Sequence, residues 1–122
     1  MNGVLWAVQA ALALVFFLGA TVRASRYELA RQRMAWVGAV PRPLLLFISV
    51  AEISGALGLI LPGATHRAVE LTSAAAASLA LVQVIAFFFH RARHEPRNAS
   101  ANVALVALAI FVAVARPVVA PF

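Results

Sequence analysis

The sequence contains no cysteine and few charged residues. Without cysteine the chain by itself cannot build a disulfide, a catalytic thiolate, a cysteine-ligated iron-sulfur cluster or a cysteine-based zinc site. Only 11% of the 122 residues are charged and 64% are apolar, whereas soluble domains average about 25% charged and about 45 to 50% apolar residues. The chain lacks the polar residues needed to cover a water-exposed surface. We therefore expect an integral membrane protein without a sizeable extramembrane domain.

Four apolar segments are long enough to cross a bilayer as helices of about 20 residues. The predicted fold class is all-α: one membrane domain, residues 1–122, forming a four-helix bundle with up-down topology. The prolines lie outside the apolar segments or at their ends, which favours continuous helices, and Pro62-Gly63 is expected to end the second one. The predicted spans cover residues 4–21, 44–61, 70–89 and 101–116.

The segment between the first two spans, residues 23–43, is rich in arginine and carries apolar side chains at helical spacing. This pattern fits an amphipathic helix lying on the bilayer surface, and an irregular solvated loop fits about as well. The apolar members are Tyr27, Ala30, Met34 and Val37, and the arginines expected on the other side are Arg23, Arg26 and Arg33.

The arginines are distributed unevenly between the two sides of the predicted bundle. Of the ten basic residues, eight lie in the first and third connections. By the positive-inside rule, loops 22–43 and 90–100 are then cytoplasmic and both termini lie outside. We expect this arrangement in the cell (inner) membrane of a bacterium. The net charge of +6 is explained by anionic lipid headgroups, so no nucleic-acid partner is expected.

Glu52 is the one acidic residue at the centre of a predicted span. An acidic side chain at the bilayer centre costs about 2.5 to 3.5 kcal/mol on insertion scales, so it should face the bundle interior. Because no arginine is predicted at this depth, we expect a protonated carboxyl with neutral partners, Gln83 or Gln9. Glu52, Gln83 and Ser54 form the predicted intramembrane polar site. A hydrogen-bonded plug that sets helix register is the alternative to a proton or ligand site.

Small residues and membrane-edge residues make two further groups. Small side chains allow close approach of helices, and the predicted packing stripe consists of Ala51, Gly55, Gly58 and Pro62. The residues predicted at the membrane interfaces are Arg23, His90, Arg91 and Arg116. No metal site is expected, because His66 and His90 lie too far apart along a helix and His94 lies among arginines. No residue is predicted to be catalytic.

Residues 51–62, AEISGALGLILP, carry a recognisable pattern. They resemble the second helix of the DoxX-like family of small four-span membrane proteins, which has a similar Glu-x-x-Gly-x-x-Gly-x-x-x-Pro arrangement. The alanine-rich segment 74–80, the basic segment 90–93 and the segment 111–116 are also similar to that family. Where the family often has a lysine soon after the glycine that ends the first helix, this sequence has Arg23. The residues to which the resemblance extends are Glu52, Gly55, Gly58, Pro62, His90 and Arg116.

The namesakes of that family are associated with thiosulfate:quinone oxidoreductase. The resemblance therefore implies an accessory or anchor subunit of a membrane redox complex linked to quinone, without catalytic activity of its own. It implies no intrinsic cofactor, and any quinone would be bound through a partner. The expected partners are the lipid bilayer and either other membrane subunits or further copies of the chain.

Two other functions are also considered. Four spans and one embedded glutamate are shared with the small multidrug resistance transporters, so Glu52 could serve a proton-coupled transporter. The third hypothesis is a purely structural or assembly subunit.

Overall fold

The computed structural model describes residues 1–122 and contains five α-helices, one short 3₁₀ helix and no strand. Four of the α-helices are long and apolar enough to cross a membrane, which confirms the prediction of an all-α membrane bundle. The helices are α1 (Asn2–Ser25), α2 (Tyr27–Arg33), α3 (Arg42–Thr65), α4 (Leu71–Ala92) and α5 (Pro96–Val118), and the 3₁₀ helix covers Ala35–Ala39.

The four long helices follow one another around the bundle. Helix α1 packs against α3, α3 against α4, α4 against α5, and α5 closes the ring against α1. Residues 23–43 and 91–97 lie together at one end, which we call the arginine-rich end. Residues 66–70 and both chain termini lie at the other, which we call the terminal end.

The core is a continuous apolar cluster to which all four long helices contribute. It includes Leu12, Leu59, Leu79 and Val112, each at most 1% exposed. The outer surface is also apolar, with side chains such as Phe47 at 72% exposure. Apolar residues on both the inside and the outside are expected of a helix bundle surrounded by lipid.

The helices extend past the predicted spans because hydropathy detects only the part of a helix that lies in hydrocarbon. Helix α5 begins at Pro96 rather than at residue 101. Its first turn is polar, and proline is favoured at this first helical position because no N–H is needed there. Helix α1 likewise continues to Ser25 and includes Arg23.

Helix α3 does not end at Pro62, as predicted, but continues to Thr65. Proline has no N–H, so the carbonyl of Gly58, one turn earlier, loses its usual partner within the helix. The Thr72 hydroxyl of α4 donates to this carbonyl at 3.1 Å. The free carbonyl is thus satisfied across the helix interface, and the helix can continue past the proline.

The segment after α1 is largely helical, since it contains α2 and the 3₁₀ helix. Its predicted apolar face packs inward, because Ala30 and Val37 are buried with Leu45 and are covered by Tyr27 and Met34. Arg26 and Arg33 are exposed, as expected. The expectation for Arg23 was wrong, since its side chain enters the bundle.

Candidate functional site

Glu52 forms an ion pair with Arg23 inside the bundle. Arg23 Nη2 donates to Glu52 Oε2 at 2.7 Å, and the two side chains are 11% and 7% exposed. The expected neutral partners, Gln83 and Gln9, are engaged elsewhere. The prediction that no arginine reaches this depth was therefore wrong, and so was the basis for expecting a protonated carboxyl.

The direction of an arginine side chain in a helix explains how Arg23 reaches Glu52. Side chains point back toward the N-terminus of their helix, over the preceding turn. One turn before Arg23 stands Gly19, where an added Cβ would lie 3.2 Å from Arg23 Nη1. The missing side chain leaves room for the guanidinium to lie along α1. The Trp36 ring also packs against it, with its ring centre 5.5 Å from Arg23 Cζ.

A second buried polar pair joins the two remaining long helices. Asn102 Nδ2 of α5 donates to Gln83 Oε1 of α4 at 2.5 Å, and these residues are 7% and 6% exposed. Sequence reasoning missed Asn102 because it stands at the start of the predicted fourth span. A polar residue on the buried face of an apolar helix was the available signal.

The two polar pairs lie at a similar level of the bundle. Gly55 faces Leu79 and Gly58 faces Ala75, and continuing this antiparallel register places Glu52 opposite the turn of α4 that carries Gln83. Each long helix thus contributes one member to a polar layer, consisting of Arg23, Glu52, Gln83 and Asn102. Arg23 Nε and Asn102 Oδ1 are buried in it without a hydrogen-bond partner.

The structure does not bring Ser54 into this layer. Ser54 is exposed on α3, because it lies two residues, about 200° around the helix, from buried Glu52. Ala51 is also exposed, so the predicted small-residue stripe begins at Gly55. A Cβ on Gly55 would lie 2.7 Å from Leu79 Cδ2, and one on Gly58 would lie 2.7 Å from Ala75 Cβ. These two glycines allow α3 and α4 to pack closely.

His90 lies beneath the arginine-rich end rather than at an open membrane interface. It is 5% exposed, and its ring packs edge-on against Trp36 at 5.3 Å. Its Nδ1 is 3.0 Å from Glu95 Oε1, and Arg93 Nε donates to the same oxygen at 3.1 Å. The hydrogen bond from His90, assisted by Arg93, lowers the pKa of the Glu95 carboxyl against the opposing effect of desolvation. Arg91 is exposed at this end.

Arg116 lies at the terminal end and is also buried, at 2% exposure. No carboxylate contacts it. Its guanidinium donates to the side-chain oxygens of Gln9 and Asn2, at 2.5 and 2.6 Å, and to the Ala120 carbonyl at 2.9 Å. The ring of Phe122 is 4.1 Å from Arg116 Cζ, and the ring of Trp6 is 5.3 Å away. The arginine is thus surrounded by neutral dipoles and aromatic faces.

The chemistry that this arrangement supports is charge pairing and hydrogen bonding inside an apolar bundle. The structure contains no group of three or more histidine, cysteine or acidic side chains placed to hold a metal ion. An open groove of about 320 Å³ lies between α1 and α3 and is lined entirely by apolar side chains. The lining residues of this α1–α3 groove include Ala10, Ala13, Leu14, Phe17, Ala56 and Leu57.

Comparison with known proteins supports the resemblance noted in residues 51–62. The sequence model of the DoxX-like family matches residues 7–112, a range that contains all four members of the polar layer. No curated protein and no solved structure matches the chain.

Proposed function

The chain belongs to the DoxX-like family of membrane proteins, and from this premise we propose that it is an accessory or anchor subunit of a quinone-linked membrane redox complex. The observation that carries the proposal is the α1–α3 groove. Its lining is apolar throughout, which suits an isoprenoid tail, whereas a quinone head also requires hydrogen-bond donors. These donors would come from a partner subunit docked beside the groove.

The polar layer favours a structural role for this chain over a catalytic one. Glu52 is held by Arg23, and Gln83 is held by Asn102. Side chains that pair across helices specify how the four helices fit together. The polar groups of this layer thus hold the bundle together, while the apolar exterior is available for lipid and for neighbouring subunits.

Native mass spectrometry of the gently extracted protein tests the proposal. We expect the wild type to carry partner subunits and a lipid-soluble quinone. Leu14→Trp fills the groove and should lose both, whereas Leu18→Trp is the matched control. Both leucines are exposed on α1, at 60% and 54%, and only Leu14 lines the groove. A wild type that is extracted alone and free of quinone contradicts the proposal.

The orientation and the membrane are part of the same proposal. We assign the arginine-rich end to the cytoplasm and both termini to the outside of a bacterial inner membrane, because eight of ten arginines lie at that end. The chain has no cysteine, so a single introduced cysteine is the one thiol in the protein that a maleimide can label. In intact cells an impermeant maleimide should label Thr65→Cys but not Ser25→Cys. The opposite labelling pattern would reverse the assignment.

A proton-coupled transporter is the second candidate, and the burial of the Arg23–Glu52 pair favours it. Protonation of Glu52 would release Arg23, which provides two states that a transport cycle could use. Proteoliposomes containing the wild type should then show substrate uptake driven by a pH gradient, Glu52→Gln should abolish it, and Glu28→Gln, at an exposed carboxylate, should not. Absence of gradient-driven uptake by the wild type removes this candidate.

A purely structural role predicts a third outcome. In that case Glu52→Gln leaves the host complex active, whereas a bulky residue at Gly58 disrupts its assembly through the contact with Ala75.

A further inference from the structure

A groove separate from the polar layer runs along the hairpin between α4 and α5. Its volume is about 560 Å³ and it is open to the surroundings. Arg91, His94 and Ser100 line it together with the apolar side chains of Phe87, Ala99 and Val103. We call it the hairpin groove.

Along the hairpin groove, polar lining residues are followed by apolar ones, in the same order as the headgroups and acyl chains of a membrane leaflet. Arg91 and His94 stand at the arginine-rich end. Phe87 lies five residues before the end of α4, and Val103 lies seven residues after the start of α5, so both lie about 8 to 10 Å deeper at 1.5 Å per residue. The groove is therefore cationic where headgroups lie and apolar where acyl chains begin.

The charge inside the hairpin groove is positive despite the presence of Glu95. The Glu95 carboxylate is engaged by His90 and Arg93, whose nitrogens lie within 3.1 Å. Arg91, by contrast, has no acidic partner in the structure. Its guanidinium carbon lies 6.0 Å from the Phe87 ring centre, on the wall of the groove. Arg91 is thus a cation free to bind an anion beside an apolar surface.

We propose that the hairpin groove binds one anionic phospholipid, with its phosphate at Arg91 and His94 and its first acyl carbons against Phe87 and Val103. The Ser100 hydroxyl also lines this groove and supplies a further hydrogen-bond donor. The class of ligand follows from the charge and from the polar-to-apolar order of the lining. The inference does not depend on the redox role proposed above.

Native mass spectrometry from nanodiscs containing equal amounts of phosphatidylglycerol and phosphatidylcholine tests this site. We expect the wild type to retain phosphatidylglycerol preferentially. An arginine near an anionic lipid surface contributes enough to change binding about fivefold, so Arg91→Gln should lower the ratio of retained phosphatidylglycerol to phosphatidylcholine about fivefold. Ser100→Trp fills the groove and should remove the preference while leaving every charge in place.

Arg97→Gln is the matched control, because it removes the same charge from the same exposed hairpin end without lining the groove. It should change the ratio by less than about twofold. Equal effects of Arg91→Gln and Arg97→Gln, or a wild type without headgroup preference, overturn the proposal. Displacement of the lipid by excess inorganic phosphate also overturns it, because it indicates an ion site. Circular dichroism checks each variant, and if Arg91→Gln is misfolded, Ser100→Trp decides the result.

Discussion

Two arginines with little solvent exposure, at opposite ends of the bundle, are accommodated in different ways. Arg23 is paired with the carboxylate of Glu52 at 2.7 Å. Arg116 is more deeply buried than Arg23 and has no carboxylate partner. Its Nε and Nη1 donate to two side-chain amides and one backbone carbonyl, and its Nη2 has no hydrogen-bond partner. The same side chain is thus balanced by one charge at the arginine-rich end and by several dipoles at the terminal end.

The difference predicts how each end responds to loss of a partner. An ion pair concentrates its stabilisation in two residues, so removal of one leaves an uncompensated buried charge. A set of neutral partners spreads the stabilisation, so removal of one leaves the others in place. A glycine also leaves space for a side chain at each end of the bundle. Gly19 leaves space for the Arg23 side chain, and Gly63 leaves space for the Phe122 ring that packs on Arg116.

The largest effect is expected for Glu52→Leu, which leaves Arg23 buried without its counter-charge. Breaking a buried pair costs about 3 to 5 kcal/mol, and we expect about 3 kcal/mol because Arg23 lies close to the end of α1 and can swing toward the interface. The free energy of unfolding, measured by detergent titration, checks this.

The double variant Arg23→Met/Glu52→Leu is the control for this prediction. Replacement of a buried pair by apolar residues of similar size is often close to neutral. We therefore expect it to recover most of the lost stability. If the two substitutions are simply additive, the ion pair does not stabilise the bundle in the way described.

The fold could be predicted from the sequence largely because lipid leaves few alternatives for an apolar chain. Backbone groups in hydrocarbon must be paired internally, so four apolar segments predict four helices. The helix ends could not be obtained in the same way. Pro62 was expected to end α3, and what allows the helix to continue is the donation from Thr72, a contact between residues of different helices.

The candidate site was predicted only in part. The cost of an acidic side chain at the bilayer centre predicts that Glu52 faces the bundle interior. Depth along straight helices does not predict its partner, because it neglects the length of an arginine side chain. The spacing of Gly19 and Arg23, one turn apart, was the signal that could have revealed the pair. The neighbours of Arg116 come from both ends of the chain, and no local pattern could reveal them.

A smaller loss is expected at the terminal end, for Gln9→Leu. Gln9 accepts from Arg116 and also donates to the Leu59 carbonyl at 2.5 Å. Leaving such buried groups without partners costs about 1 to 3 kcal/mol, so we expect about 2 kcal/mol in the same detergent titration. Asn2→Ala removes another partner of Arg116 from an exposed position and should cost less. A loss of stability as large as that of Glu52→Leu would show that the stabilisation of Arg116 is not divided among its neutral partners.

The two glycines give a further, smaller contrast. A Cβ at Gly63 would lie less than 3 Å from three atoms of the Phe122 ring, whereas one at Gly19 would lie 3.2 Å from the movable end of Arg23. Overpacking costs about 1 to 3 kcal/mol, and alanine in a helix offsets up to about 1 kcal/mol of it. Gly63→Ala should therefore destabilise by about 1 kcal/mol, and Gly19→Ala should change thermal stability little. If Gly19→Ala is the more harmful variant, the Arg23 side chain has less freedom than proposed.

The smallest effect on stability is expected for Glu95, which lies at the arginine-rich end, as Arg23 does. His90 and Arg93 lower the pKa of the Glu95 carboxyl below its ordinary value of 4.5. A lowered pKa in the folded state means that the charged form stabilises the fold at any pH above the ordinary value. The wild type should therefore unfold at a higher temperature than Glu95→Gln at neutral pH. As the pH falls below 4.5 and through the lowered pKa, the carboxyl becomes protonated and the difference between the two melting temperatures should disappear. A difference that stays constant over this acidic range would mean that the charge on Glu95 does not contribute to stability.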